Sequence, residues 1–267
     1  MLWKSDASCK CGVKTKSPQS RIARGDLAAE HEFPWQVAIF NFRSFICSGS
    51  LINNLYVLTA AHCFDKFRDE NPFNNIRNIR VALGVHQRTE FSKFKEVRQI
   101  NEVIIHENYV SNISTRYYDI ALMKMKEPLT RYSSEISPIC LPPTGPSYEG
   151  RTATVSGWGR EHENGNNVNI LRKANIKILS NIYCNQKLGT TFNQRIRLCA
   201  DSSVGQTCPG DSGGPLMVHT GRQYLQVGIV SFGYGCKATS FPDVYTRVNV
   251  FVPWIQTHTR DAKYCEY

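Results

Sequence analysis

The chain reads as an all-β protein, a sandwich or a barrel. Short runs rich in β-branched and aromatic residues recur along it, and apolar residues seldom fall at helical spacing. The first run is Trp35-Gln36-Val37-Ala38-Ile39-Phe40, followed by Tyr56-Val57-Leu58-Thr59 and Ile79-Arg80-Val81-Ala82-Leu83. Ile120-Ala121-Leu122-Met123, Thr152-Ala153-Thr154-Val155 and Tyr224-Leu225-Gln226-Val227-Gly228-Ile229-Val230 complete the set, each bounded by Gly, Pro, Asn or Asp turns. Only 250–259 carries apolar residues at helical spacing (Phe251, Trp254, Ile255, with His258), which predicts a C-terminal helix. Pro253 would sit in its first turn, where the missing N–H costs nothing. Residues 1–21 are rich in Lys, Ser and Cys without a strand pattern and read as a tethered leader. The stretches 71–75 and 161–167 read as surface loops, and the Pro-rich 141–146 as the connection between two halves.

Composition narrows the function. With 267 residues, 41% hydrophobic and 20% charged, the chain can bury a core, which excludes intrinsic disorder. No apolar run approaches the roughly 18 residues of a membrane span, and 1–6 lack a cationic segment followed by an apolar one, so no signal peptide is expected there. The net charge of +10 is scattered, without a block of like charges, and reads as a solvated face with at most weak affinity for anionic polymers and none specific for nucleic acid. Ten cysteines, even in number and without paired C-x2-C blocks, point to disulfides and an oxidising, extracellular compartment rather than to zinc.

The chemistry concentrates in Gly210-Asp211-Ser212-Gly213-Gly214-Pro215. Glycines let a serine stand on a tight turn with its hydroxyl free, and let a backbone N–H face a substrate oxygen. A serine hydroxyl is a poor nucleophile near neutral pH and needs a base, itself oriented by a carboxylate. Thr59-Ala60-Ala61-His62-Cys63 offers the base, and Asp119 heads an otherwise apolar strand where it needs a partner. Each piece alone has a bland reading as a turn, a structural histidine or a turn cap. Together, in the order His62, Asp119, Ser212, they resemble the trypsin-like (chymotrypsin-fold) serine proteases. The resemblance runs from Ile22 to about Thr259 and includes 33–37 (FPWQV), 47–52 (CSGSLI), 138–142 (PICLP), 155–159 (VSGWG) and 243–248 (DVYTRV).

That resemblance implies two six-stranded antiparallel β-barrels, about 22–135 and 136–250, with the active cleft between them and a C-terminal α-helix at about 250–260. It makes His62 general base and then acid, Asp119 its orienting carboxylate, and Ser212 the nucleophile, the three expected in one hydrogen-bonded row. The N–H groups of Gly210 and Ser212 become the oxyanion hole, and Ser231, Phe232 and Gly233 pair with the substrate backbone. It makes Arg21-Ile22 an activation site whose new terminus pairs with Asp211, so the chain would be a zymogen, although Ala23-Arg24-Gly25 departs from the family's Val-Gly-Gly. It pairs Cys47 with Cys63, Cys184 with Cys199 and Cys208 with Cys236. Cys9, Cys11, Cys140 and Cys265 have three formal pairings; the resemblance favours Cys11 with Cys140 and so Cys9 with Cys265. The Cys-Lys-Cys-Gly of the leader resembles the join to an upstream module in some arthropod proteases.

Specificity has two readings. In the family, the residue six before the nucleophile forms the pocket base, and an Asp there selects Lys or Arg; here it is Gln206. Gly233 leaves the entrance open, and the opposite wall, usually glycine, carries Asp243. Either Asp243 replaces the missing carboxylate and accepts Arg or Lys, or it bonds to Gln206 or Thr207 and leaves room for apolar or small polar residues. Basic or broad cleavage is the preferred reading. Asn112-Ile113-Ser114 is an N-glycosylation acceptor. Val85-His86-Gln87, after a Leu-Gly that resembles the start of the family's calcium loop, supplies no acidic ligand, so neither metal nor cofactor is expected. The remaining histidines (31, 86, 106, 162, 219, 258) read as unclustered surface or packing residues. The expected protein is a secreted serine endopeptidase with protein or peptide substrates, an upstream activating protease and serpin-type inhibitors as partners. The alternative is a catalytically silent homologue that acts as a binding module.

Overall fold

The computed structural model of the chain describes residues 4–14, 26–67, 76–112, 116–161, 164–202, 207–236 and 240–267. Arg21, Ile22, Gln206, His162, the 71–75 loop, and Ile113 and Ser114 of the glycosylation acceptor lie outside the described residues.

The chain begins with β1 (Lys4–Lys10) and β2 (Asp26–Leu27). Six strands follow: β3 (Gln36–Asn41), β4 (Ser44–Leu51), β5 (Tyr56–Thr59), β6 (Ile79–Leu83), β7 (Glu96–Ile105) and β8 (Ala121–Met125). They close into an antiparallel barrel in the order β3-β4-β5-β8-β7-β6. Closure removes the free edges that would otherwise leave backbone N–H and C=O groups unpaired.

The second set is β9 (Thr152–Gly157), β10 (Arg172–Lys177), β11 (Arg197–Ala200), β12 (Pro215–His219), β13 (Tyr224–Phe232) and β14 (Asp243–Arg247), paired in the order β11-β14-β13-β12-β9-β10 with β2 added beyond β10. This sheet also closes: Ile178 bridges Ala200, the Leu179 N–H donates to Cys199 O at 3.0 Å and the Asp201 N–H to Lys177 O at 2.9 Å. The fold class expected from the sequence is the one observed.

The barrels meet along a buried seam. Trp35 and Trp158 are fully buried, and the Trp35 indole N–H points at Met217 Sδ, 3.0 Å away across the seam. Polar groups trapped there are paired between barrels: Ser156 Oγ donates to Gln36 Oε1 at 2.8 Å and Ser50 Oγ to Gln226 Oε1 at 2.6 Å. A buried polar group left alone would cost about 1–3 kcal/mol, so these pairs hold one relative placement of the barrels, and with it the cleft.

The structure departs from the sequence reading in four places. The leader contains a strand: β1 pairs in parallel with β15 (Lys263–Glu266), and the disulfides Cys9–Cys265 and Cys11–Cys140 pin it. Its polar composition hides this because the ordering comes from the disulfides and a distant partner. A helix not foreseen, α1 (Asn181–Leu188), is capped by Ser180 Oγ, which accepts from the Tyr183 N–H at 3.2 Å. It buries only Cys184 and Leu188, too few for a periodic signal. The C-terminal helix, α2, is Val248–His258, so Pro253 lies in its second turn. Burial of Val248 draws the start back, and the cost is one helical hydrogen bond. His106 and His258 are clustered, each against Trp254 (5.1 and 4.8 Å between ring centres), with Glu107 beside them. No helix among the described residues is long and apolar enough to cross a membrane.

Candidate active site

His62 lies on a 3-10 turn, Ala61–Phe67, directly after β5, and the Cys47–Cys63 disulfide ties that turn to β4. Asp119 enters β8 behind Tyr118, whose φ of 56° is unusual for a bulky residue. Stacking of Tyr118 on His106, with centroids 4.9 Å apart, supports that conformation. The two groups meet twice: the His62 backbone N–H donates to Asp119 Oδ1 at 2.9 Å, and His62 Nδ1 lies 2.8 Å from Asp119 Oδ2. The Nδ1–H tautomer satisfies that contact and leaves Nε2 as the basic nitrogen.

Two further donors hold Asp119, one at its carboxylate and one at its backbone. Ser231 Oγ donates to Asp119 Oδ2 at 2.6 Å, and Thr246 Oγ1 to the Asp119 carbonyl at 2.7 Å. Ser231 is placed by a β-bulge: Val230 faces Tyr245 and Phe232 faces Val244, which leaves Ser231 as the extra residue, re-aimed at Asp119. Sequence reasoning gave Ser231 only a substrate-backbone role, because the bulge depends on register with β14. Burial of Asp119 would raise its pKa, but the adjacent His62 and the hydrogen bonds from His62 and Ser231 win and hold it below the ordinary carboxylate value.

Ser212 stands on the turn before β12. Its carbonyl accepts the Ser48 N–H from β4 at 2.9 Å, so a backbone bond crosses the cleft beside the nucleophile candidate. Gly213 follows at φ +78°, and a Cβ there would lie 2.1 Å from Thr59 Oγ1, so no other residue fits. The expected row is closed between Asp119 and His62 and open between His62 and Ser212. His62 Nε2 is buried without a hydrogen-bond partner. A serine hydroxyl turns about a single bond, and such contacts commonly tighten only with substrate in place. An imidazole held this way can take a proton from an alcohol at Nε2. Among the described residues no hydrogen bond uses the N–H of Gly210 or Ser212, so both remain as donors.

Asp211 turns away from the cleft. Its carboxylate is enclosed against Gly157 and Gly159, where a Cβ would stand 2.1 and 2.2 Å from its oxygens, and it accepts the Gly159 N–H at 2.7 Å and the Cys208 N–H at 3.0 Å. Among the described residues no cation lies within ion-pair distance. Enclosure pushes its pKa up to about 6, against the opposing pull of the two N–H donors.

Of the residues expected to form a specificity pocket, Asp243 and Gly233 come together: a Cβ on Gly233 would lie 2.4 Å from Asp243 Oδ1. Asp243 Oδ2 accepts from the Thr207 N–H at 2.8 Å and Thr207 Oγ1 at 2.9 Å, while Oδ1 is buried with no partner. Burial pushes this carboxyl up to about 7. The Cys208–Cys236 disulfide joins the segment before Ser212 to the one after Gly233, and Cys184–Cys199 ties α1 to β11. All ten cysteines are paired as the resemblance implied. Cys47, His62 and Cys63 gather within 4.8 Å, but their sulfurs are spent in the disulfide, so they make no metal-ligand set. Asn112 is exposed.

Comparison with known proteins agrees with this geometry. The chain is 37% identical over 276 residues to serine proteinase stubble of Drosophila melanogaster, covering 96% of this chain and 33% of that protein. It therefore spans about a third of that relative's length. It is 35% identical over 259 residues to the clotting factor G beta subunit of Tachypleus tridentatus, covering 90% of this chain and 80% of that one. The family model described as trypsin matches residues 22–255, and on that match the chain belongs to the trypsin family of serine proteases.

Proposed function

We propose that the chain is a secreted serine endopeptidase, made as a zymogen and activated by cleavage after Arg21. The observation that carries this reading is the state of His62: Nδ1 is held by Asp119, and Nε2 is left buried and unpartnered, with the basic nitrogen uncommitted. In this reading Ser212 attacks the scissile carbonyl and His62 takes its proton. Asp119, supported by Ser231, stabilises the imidazolium, and the N–H groups of Gly210 and Ser212 hold the oxyanion. The acyl-enzyme is then hydrolysed by water, with His62 again as base.

Activation rests on Asp211. An enclosed carboxylate facing no cation among the described residues is costly, and the Ile22 ammonium freed by cutting would relieve it. The two disulfides of the leader would keep the cut piece attached. For the residue whose carbonyl is attacked, we favour Lys or Arg, because Asp243 Oδ1 is an unused acceptor beside Gly233. Its bond to Thr207 realises part of the rival reading and leaves the other oxygen for a substrate cation. Five disulfides support an oxidising, extracellular setting, and exposed Asn112 supports glycosylation. Protein substrates, an upstream activating protease and serpin-type inhibitors would be the partners.

The test is labelling by a fluorophosphonate of the chain cut after Arg21. Labelling lost in Ser212→Ala and in His62→Ala is the expected result. A cut parent chain that takes no label would instead be a binding module.

A further inference from the structure

An extended peptide that pairs with Ser231, Phe232 and Gly233 needs the Ser231 carbonyl as an acceptor. That carbonyl is already in use: Arg116 Nη1 donates to it at 3.0 Å from the loop that leads to Asp119. Arg116 has no carboxylate within ion-pair distance among the described residues, so a backbone carbonyl is its stand-in for an anion.

A second cation lies along the same strand. Arg197 is 2% exposed, and its guanidinium is sandwiched between Tyr117, 4.5 Å from the ring centre, and Phe232, 5.2 Å away. Its Nη1 donates to the Thr191 carbonyl, while its Nη2 is buried with no hydrogen-bond partner. Asp119 is near enough to be felt, but its charge is engaged by His62. Two guanidiniums, Arg116 and the buried Arg197, thus lie around Ser231 and Phe232, and the carboxylate near them, Asp119, is engaged by His62.

We infer that Arg116 is a displaceable gate on the substrate-pairing strand, and that it selects substrates with an acidic side chain on the residue just upstream of the one whose carbonyl is attacked. This rests on the proteolytic reading of the same cleft. The incoming backbone N–H takes the Ser231 carbonyl and frees the guanidinium, which stays beside that carbonyl and so within reach of the side chain one residue upstream. A carboxylate there regains the lost hydrogen bond as a charged pair, an alanine leaves it unreplaced, and a lysine adds repulsion.

The experiment uses the full chain cut after Arg21 and peptides that differ only at that upstream residue, carrying Asp, Ala or Lys. For the parent, kcat/KM is expected to be about tenfold higher with Asp than with Ala, and lower again with Lys. Arg116→Ala should lose the order and gain on the Ala peptide through KM, since the gate is gone. Arg116→Gln retains a neutral donor for Ser231; it should lose the acid preference without that gain. Binding of the same peptides to the Ser212→Ala chain, read by fluorescence anisotropy, gives the same ranking without turnover. Equal rates or affinities across the series, or an acid preference that survives Arg116→Ala, would overturn the inference. If the parent cuts no peptide, the proteolytic reading falls, and the anisotropy series still decides the role of Arg116.

Discussion

Cutting after Arg21 should change how the protein's stability depends on pH, and the size of the change follows from Asp211. In the uncut chain, enclosure raises this carboxyl from an ordinary 3.8 to about 6. A carboxyl whose pKa is higher folded than unfolded adds stability that is whole below the unfolded value and is lost as pH rises through the folded one. The gap of about 2 pH units, at ~1.4 kcal/mol each, sets an upper bound of roughly 3 kcal/mol lost between about pH 4 and pH 6. If the Ile22 ammonium freed by cutting pairs with this carboxylate, as proposed, the ionised form would become the favoured one and that loss would disappear. The stability of cut minus uncut chain should therefore climb by up to ~1.4 kcal/mol per pH unit across this window and then level off until the terminal amine titrates. Asp119 and the other shifted groups that do not sense Asp211 are present in both forms and cancel, whereas Asp243, which the Asp211 charge helps to raise to about 7, contributes mainly above this window. Urea denaturation at pH 4, 5, 6 and 7 with disulfides intact measures the difference. Ser212→Ala chains prevent self-digestion. The disulfides Cys9–Cys265 and Cys11–Cys140 keep the cut form one molecule, so its unfolding needs no concentration correction. A difference that stays flat or falls with pH would refute the assignment of Asp211 as the partner of the new terminus.

Three further outcomes follow from individual contacts. Ser231→Ala removes the hydroxyl on Asp119 Oδ2, worth about 1–2 kcal/mol, so kcat should fall roughly tenfold with KM little changed; steady-state kinetics on the cut chain reads this. Because Asp243 titrates at about 7, preference for Arg over Gln at the cleaved residue should weaken as pH drops from 8.5 to 5.5; a constant kcat/KM ratio would show that Asp243 does not read charge. The leader should stay attached after cutting unless Cys9 and Cys11 are both replaced by Ser; a free 21-residue piece from the parent on a non-reducing gel would contradict both pairings.

What the sequence reveals divides along one physical line. Strands such as Gln36–Asn41 and Tyr224–Phe232 were legible because their apolar, β-branched character is local, and Gly210–Pro215 was legible because a serine between glycines is itself a local device. The leader strand, the start of α2 and the bulge at Ser231 depend on what lies opposite. Lys4–Lys10 is ordered by a β15 more than 250 residues away, and Ser231 reaches Asp119 only because β13 slips one residue against β14. The contact between Arg116 and the Ser231 carbonyl is of the same kind: no spacing encodes it, since the partners are 115 residues apart and join different barrels. Catalytic positions are read from motifs, because each must carry a particular group on a particular turn. Selectivity, in the proposed reading, is written in pairings that folding makes, Thr207 with Asp243 inside the second barrel and Arg116 with Ser231 between the barrels, and neither has meaning before those residues are set face to face. Relatives that share the motif of Ser212 can therefore differ in what they cut by exchanging single residues along the cleft walls, without disturbing the hydrogen bonds that orient His62.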